Sequence, residues 1–221
     1  MAGTMDPADG PKRYEPARLP ESGPGDGAPV LVSDLVSGVR YELEVGGGRG
    51  GFAFERLAAD PEVALLGFEV KKKWATLVDD RLAAQGLRPR ARVFGQDALA
   101  CLPRLAPDGI FTTAFLHFPD PWWKKRHAKR LVMGDPFLRQ VHRLLAPGGA
   151  LYIQTDVEDR ANQYRDFVSD FAEGTLFLPA GDAPGSPDMA ENPYGARSPR
   201  EHRAIEDGLP VWRLRWLRSA G

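Results

Sequence analysis

The sequence predicts an α/β fold in which helices flank a doubly wound, mostly parallel sheet. First, short apolar runs alternate with amphipathic helical patterns from about residue 30 to the end of the chain. Second, residues 110–118 are largely apolar, as expected of a central parallel strand that is buried on both faces. Third, a glycine-rich stretch directly follows the first strand-like run, where a ligand-binding turn lies in such sheets.

The first half of the domain contains three predicted strands and two predicted helices. The strands cover residues 41–45, 64–69 and 91–94, and the helices cover residues 52–59 and 71–85. The first helix ends at Asp60-Pro61 because the residue before a proline disfavours helical geometry. Gly86 closes the second helix.

The second half continues the alternation. Residues 110–118 form the central strand, and a helix over 135–145 stops at Pro147-Gly-Gly149. A strand at 150–154 and a helix at 158–171 follow. Residues 210–217 alternate between apolar and polar side chains, which predicts a late strand.

The N-terminal residues differ in composition from the rest of the chain. Residues 1–29 are rich in Gly, Pro, Ala and Asp, so we predict a flexible acidic leader. The alternative is an arm that is ordered around Tyr14. The chain has 221 residues, which suits a single domain over residues 30–221 after this leader.

Composition excludes several classes of protein. Lys and Arg number 29 and Asp and Glu 30, so any nucleic-acid contact must rest on a local basic cluster. No apolar run approaches the roughly 18 residues of a membrane span, and the N-terminus lacks the apolar core of a signal peptide. The single cysteine, Cys101, excludes a disulfide framework. We therefore expect a cytoplasmic protein that is not bound to a membrane.

The glycine-rich stretch predicts a cofactor site. Five glycines lie between residues 46 and 51, and Gly46, Gly48 and Gly51 match the spacing of dinucleotide-binding turns. Glu69 ends the second strand, where an acid holds ribose hydroxyls of NAD or, equally, of S-adenosylmethionine. Glu44 precedes the turn, and an acid there favours the ligand with a sulfonium and an ammonium. The alternative is that Glu44 and Glu69 are solvated strand-end acids.

Other polar residues follow the ends of strands, where ligands bind in such sheets. Asp97 comes after the third strand and would either cap the next helix or contact an adenine. Asp120 and Asp156 follow the fourth and fifth strands. Together with Glu44 and Glu69, the three aspartates are therefore the strand-end residues at which we expect the functional site.

Residues 118–131 combine a fixed acid, two tryptophans and five bases. Pro119 and Pro121 restrict the backbone on both sides of Asp120. Aromatic side chains interleaved with bases suit stacking on a nucleobase and pairing with phosphates. No cysteine or carboxylate cluster accompanies His117 or His127, so no metal site is predicted.

These motifs together resemble the bacterial tRNA (guanine-N7)-methyltransferases, which modify the variable-loop guanine at position 46. The most specific part is Phe118-Pro-Asp-Pro-Trp122 with Lys124-Lys-Arg-His127 and Lys129-Arg130. Supporting motifs are Glu44-Val-Gly-Gly-Gly-Arg-Gly50, Gly67-Phe-Glu69, Gln96-Asp97-Ala98, Pro147-Gly-Gly149 and Thr155-Asp156. The segment from Arg197 to Trp212 is similar to the closing part of the family.

The resemblance implies a Rossmann-like class I methyltransferase fold with a seven-stranded sheet. It implies S-adenosylmethionine as cofactor and tRNA as substrate, with no obligatory protein partner and a monomer as the default. Asp120 would be the catalytic residue. The cofactor site would contain Glu44, Gly46, Gly48, Glu69, Asp97 and Asp120. The substrate site would contain Lys124, Arg126, His127, Lys129, Arg130, Asp156, Ser198 and Glu201.

The chain departs from the family at a few positions. Gly47 stands where Cys is frequent, which we expect to be harmless. Ser198-Pro-Arg-Glu201 replaces the usual Thr-Lys-Phe-Glu, so the hydroxyl and the acid remain but the local geometry changes. The leader lacks an Arg-rich arm, which predicts weaker binding of tRNA.

Three other functions are compatible with parts of the sequence. The first is a class I methyltransferase that acts on another RNA or on a small molecule, although the basic segment disfavours a small molecule. The second is an NAD-dependent oxidoreductase, which Glu44 disfavours. The third is an RNA-binding module without activity, which the intact glycine turn disfavours.

Overall fold

The computed structural model describes residues 14–21, 29–119 and 132–220. The strands are β1 (Val30–Leu31), β2 (Arg40–Val45), β3 (Val63–Phe68), β4 (Ala91–Phe94), β5 (Leu105–Ala106), β6 (Phe111–His117), β7 (Leu145–Thr155), β8 (Phe177–Pro179), β9 (Asp188–Met189) and β10 (Trp212–Arg218). The helices are α1 (Val32–Leu35), α2 (Gly51–Ala59), α3 (Lys72–Ala84), α4 (Ala98–Cys101), α5 (Asp135–Leu144), α6 (Glu158–Asp170) and α7 (Pro199–Glu206).

The main sheet confirms the predicted fold class. Its strands follow the order β4-β3-β2-β6-β7-β10-β8, and the short β9 pairs with β10. The five strands from β4 to β7 are parallel, whereas β10 is antiparallel to its neighbours. The strand order reverses between β2 and β6, so a crevice is expected at the carboxyl ends of these two strands.

The core lies on both faces of this sheet. All six residues of β3 are buried, with Ala64 and Leu66 on one face and Val63 and Leu65 on the other. Such a strand reads as continuously apolar because neither face meets water. The sheet therefore provides a rigid base for the residues that follow its carboxyl ends.

The predicted helices and long strands are present, with one correction at Pro147-Gly-Gly149. This stretch does not form a stop after α5, because α5 ends at Leu144 and β7 already begins at Leu145. Leu145 is buried and pairs with Phe111, so the strand starts before the glycines. The elements that were not predicted are β1, α1, α4, β5, β8, β9 and α7. Apart from α7, each has four residues or fewer, too few to show a hydrophobic period.

Part of the predicted leader packs against the domain. Leu19 is only 2% exposed, and its N–H donates to Oε1 of Gln96 at 2.5 Å. The N–H of Gly95 donates to the carbonyl of Ala17 at 2.9 Å. Residues 14–21 therefore form an ordered arm, which was the alternative to a flexible leader. This arm lies at the carboxyl end of β4.

Candidate active site

The conformation of the turn between β2 and α2 depends on its glycines. Gly46 and Gly48 have φ values of 78° and 56°, which residues with a side chain rarely adopt. This backbone directs the N–H of Gly48 to Oε2 of Glu69, which accepts it at 2.9 Å. The turn and the end of β3 are thus joined by a direct hydrogen bond across 21 residues of sequence.

Glu44 and Glu69 are both buried beside this turn, at 2% and 6% exposure. Oε1 of Glu69 accepts the N–H of Lys71 at 2.7 Å, so each oxygen of Glu69 already holds one backbone amide. Burial raises the pKa of the Glu44 carboxyl to about 8, and the charge of Glu69 adds to this shift. The pair is not a set of solvated acids, and Glu44 is largely protonated at neutral pH.

Gly47 has a role that the sequence did not reveal. A Cβ at this position would lie 2.7 Å from Oε2 of Glu44, which is closer than such contacts normally come. A side chain at position 47 would therefore require the buried Glu44 carboxyl to move. The glycine that is present leaves the Glu44 carboxyl where it is, and the expectation that this departure is harmless stays a prediction.

Asp97 lies at the carboxyl end of β4 and caps α4. Its carboxylate accepts the N–H of Leu99 at 2.9 Å, and the residue is exposed. Of the two predicted roles, the helix cap is therefore observed. Contact between the exposed Asp97 side chain and an adenine stays a prediction.

Asp156 follows β7, and its side chain is only 10% exposed. Its Oδ2 accepts two hydrogen bonds from the Arg200 guanidinium, one from Nε at 2.8 Å and one from Nη2. The two residues are 44 positions apart. The sequence predicts the acid at this edge of the sheet but not its partner.

Ser198 and Glu201 begin α7, although Glu201 is not open to solvent. Oγ of Ser198 accepts the N–H of Glu201 at 3.1 Å, which makes Ser198 an N-cap, and Pro199 occupies the first helical position. Glu201 is fully buried, and its carboxylate accepts hydrogen bonds from Arg213 and Asn192. The Glu201 carboxylate thus holds α7 against β10 through Arg213.

His117, which ends β6, is a further polar residue at this edge of the sheet. It is 7% exposed, and Nδ1 lies 2.7 Å from Oε1 of Gln154. The Nε2 of Gln154 donates to the hydroxyl of Tyr152 at 3.2 Å, so the His117 Nδ1 carries the hydrogen. Burial lowers the pKa of His117 to about 4. A histidine at the end of the predicted central strand is the sequence signal for this buried group.

The remaining predicted site residues lie outside the described residues. They are Asp120, Lys124, Arg126, His127, Lys129 and Arg130. Within the described ranges, no group of three or more His, Cys, Asp or Glu side chains could hold a metal ion. The same ranges contain no helix that is long and apolar enough to cross a membrane.

Most of the chain is similar to known methyltransferases. Residues 40–214 match a family model described as a putative methyltransferase. The chain is 40% identical to the tRNA (guanine-N(7)-)-methyltransferase of Myxococcus xanthus, over 81% of this chain and 84% of the relative. It is 38% identical to the protein of the same name from Anaeromyxobacter dehalogenans, over 88% of this chain and 97% of the relative.

A solved structure shares the fold. The 16S rRNA methyltransferase KamB superposes with a TM-score of 0.57 at 17% identity, over 85% of this chain and 90% of that protein. At this level of identity the likeness concerns the fold alone.

Proposed function

This chain belongs to the tRNA (guanine-N7)-methyltransferase family, and we propose that it transfers a methyl group from S-adenosylmethionine to N7 of guanine 46 in the tRNA variable loop. The observation that carries the proposal is the buried pair of Glu44 and Glu69 around the glycine turn. This pair lies within residues 40–214, which match the family model.

The donors around the turn fit S-adenosylmethionine. When bound, this cofactor supplies an electrophilic methyl group on a positively charged sulfur. In our proposal the Glu44 carboxylate holds the ammonium of the cofactor, and Glu69 accepts hydrogen bonds from the ribose hydroxyls. Gly46 and Gly48 admit the cofactor close to the backbone. Asp97 and Asp120 complete the proposed cofactor site.

The reaction demands orientation more than proton transfer. Guanine N7 carries a lone pair and no proton, so its methylation requires no strong general base. The protein must instead hold N7 in line with the methyl carbon, opposite the sulfur. In our proposal Asp120 and Asp156 accept hydrogen bonds from N1–H and N2–H₂ of guanine. Their charges also favour the positive charge that develops on the imidazole ring.

The basic segment is the proposed contact with tRNA phosphates. In our proposal the tRNA phosphates are contacted by basic residues that follow Asp120 in the sequence, namely Lys124, Arg126, His127, Lys129 and Arg130. Binding through phosphates makes affinity fall as salt rises. Ser198 and Glu201 contribute by positioning α7 at the edge of the site.

We propose the same simple organisation that the sequence predicted. Residues 30–221 act as one methyltransferase domain after the leader 1–29, as a monomer without an obligatory partner or a metal ion. Since tRNA is the substrate, the cytoplasm is the proposed location.

The direct test is a methylation assay with labelled S-adenosylmethionine and unmodified tRNA transcripts, followed by nuclease digestion and mass spectrometry. We expect labelled 7-methylguanosine, and none from a transcript in which guanine 46 is replaced by adenine. Label in a different nucleoside would favour another RNA methyltransferase. Binding of tRNA with no label at all would favour the module without activity.

A further inference from the structure

Helix α7 is held rigidly between the glycine turn and β10. A Cβ on Gly51, the first residue of α2, would lie 2.5 Å from Cγ of Pro199, so the two helices begin in close contact. Glu55 of α2 accepts the N–H of Arg197 at 2.8 Å and lies 2.7 Å from Nε2 of His202. The buried Glu201 carboxylate accepts a hydrogen bond from Arg213 of β10 and forms an ion pair with it. These contacts therefore fix the backbone of α7 from which each of its side chains extends.

Arg200 extends from this helix to Asp156. The Arg200 side chain is 54% exposed, whereas that of Asp156 is 10% exposed. Both hydrogen bonds from the guanidinium fall on Oδ2 of Asp156, and neither uses Oδ1. Two bonds from a planar group to one oxygen restrict rotation of the carboxylate. The orientation of Oδ1 is thereby set by a residue 44 positions away in the sequence.

We propose that Arg200 is a positioning residue that holds Asp156 through Oδ2 and so presents Oδ1 to an N–H of the target guanine. This inference rests on the proposed function, in which Asp156 meets the base. The Asp156 carboxylate is already oriented in the free protein, so it loses less rotational freedom when the base binds.

The decisive variant is Arg200→Met, which retains an unbranched side chain close to the size of the apolar part of Arg and removes both hydrogen bonds. We expect kcat to fall about tenfold to hundredfold, the scale of a small misplacement of a positioning group, with less than a threefold change in the KM for tRNA. The affinity for S-adenosylhomocysteine and the Tm should stay close to those of the unaltered protein. Arg200→Lys should recover only part of kcat, because an ammonium cannot reproduce the planar pair of bonds.

Arg203 provides the matched control. It lies on the same helix, carries the same charge and is 73% exposed, with its guanidinium 3.7 Å from Asp207 and not bonded to Asp156. Arg203→Met should leave kcat unchanged. If Arg200→Met also leaves kcat unchanged, the proposal is wrong. If it raises only the KM for tRNA and flattens the salt dependence, Arg200 binds phosphate instead, and the proposal is wrong as well.

A double-mutant cycle tests whether Arg200 acts through Asp156. In an Asp156→Asn background, Arg200→Met should reduce kcat by less than about threefold further, because the group that it positions is already altered. A full additive loss would overturn the proposal, as would a fall in Tm and cofactor affinity that parallels kcat. Absence of 7-methylguanosine with the unaltered protein would instead refute the proposed function, and this inference with it.

Discussion

We predict that cofactor binding depends on pH, because Glu44 is the proposed contact for the cofactor ammonium. Its pKa is raised to about 8 by burial and by the charge of Glu69, so the free protein holds a proton there at neutral pH. A cationic ammonium beside Glu44 favours the ionised form. In the proposed site the proton therefore leaves when S-adenosylhomocysteine, which carries this ammonium, binds.

The size of the effect follows from the pKa. With a pKa of about 8 in the free protein, roughly 90% of Glu44 is protonated at pH 7, so binding should release nearly one proton. Affinity should rise by up to about tenfold per pH unit between roughly pH 6 and 7.5. The rise should level off above about pH 8, where Glu44 is already ionised in the free protein. The sign is fixed because a raised carboxyl pKa disfavours the ionised form that the ligand needs.

The assay is titration calorimetry with S-adenosylhomocysteine in two buffers of different ionisation enthalpy, which counts the protons released. Glu44→Gln is the matched variant, since it retains the shape and cannot ionise. We expect close to one proton for the unaltered chain at pH 6.5–7, and none for the variant, whose affinity should be weaker and nearly independent of pH. The reasoning is refuted if the unaltered chain releases no proton, or if Glu44→Gln releases as many.

Three further predictions concern neighbouring residues. Glu69→Ala should weaken S-adenosylhomocysteine by about 1.5–3 kcal/mol in the same calorimetric assay, as expected for hydrogen bonds to a charged group; an unchanged affinity would contradict its role. Asp120→Asn should lower kcat about 10²–10³-fold, the scale of one preorganised electrostatic contact, with Tm unchanged. Activity of Asp120→Ala within a few-fold of the unaltered enzyme would exclude a catalytic role. Because burial lowers the pKa of His117 from 6.5 to about 4, the unfolded chain binds more protons between these values. Stability present above pH 6.5 should therefore be lost towards pH 4, by up to about 3 kcal/mol. In urea denaturation His117→Phe should flatten this slope, and an equal slope in both proteins would count against it.

The sequence by itself determined the sheet and which residues lie at its functional edge. Parallel strands that are buried on both faces must be apolar throughout, so a run such as β3 is visible without coordinates. Once those strands are placed, the polar residues after them must lie at the carboxyl edge, because parallel strands end on the same side. This reasoning placed Glu44 beside the turn and Glu69 at the end of β3.

Only the tertiary structure decided how these residues are paired and how far they are buried. Arg200 meets Asp156 and Arg213 meets Glu201 because α7 packs against α2 and β10. No local period in the sequence encodes such contacts. The protonation of Glu44 likewise depends on the solvent that the fold removes and on the distance to Glu69. Hydrophobic pattern specifies which side of an element is buried, whereas pairing between polar groups depends on angles and distances that arise only when the elements pack.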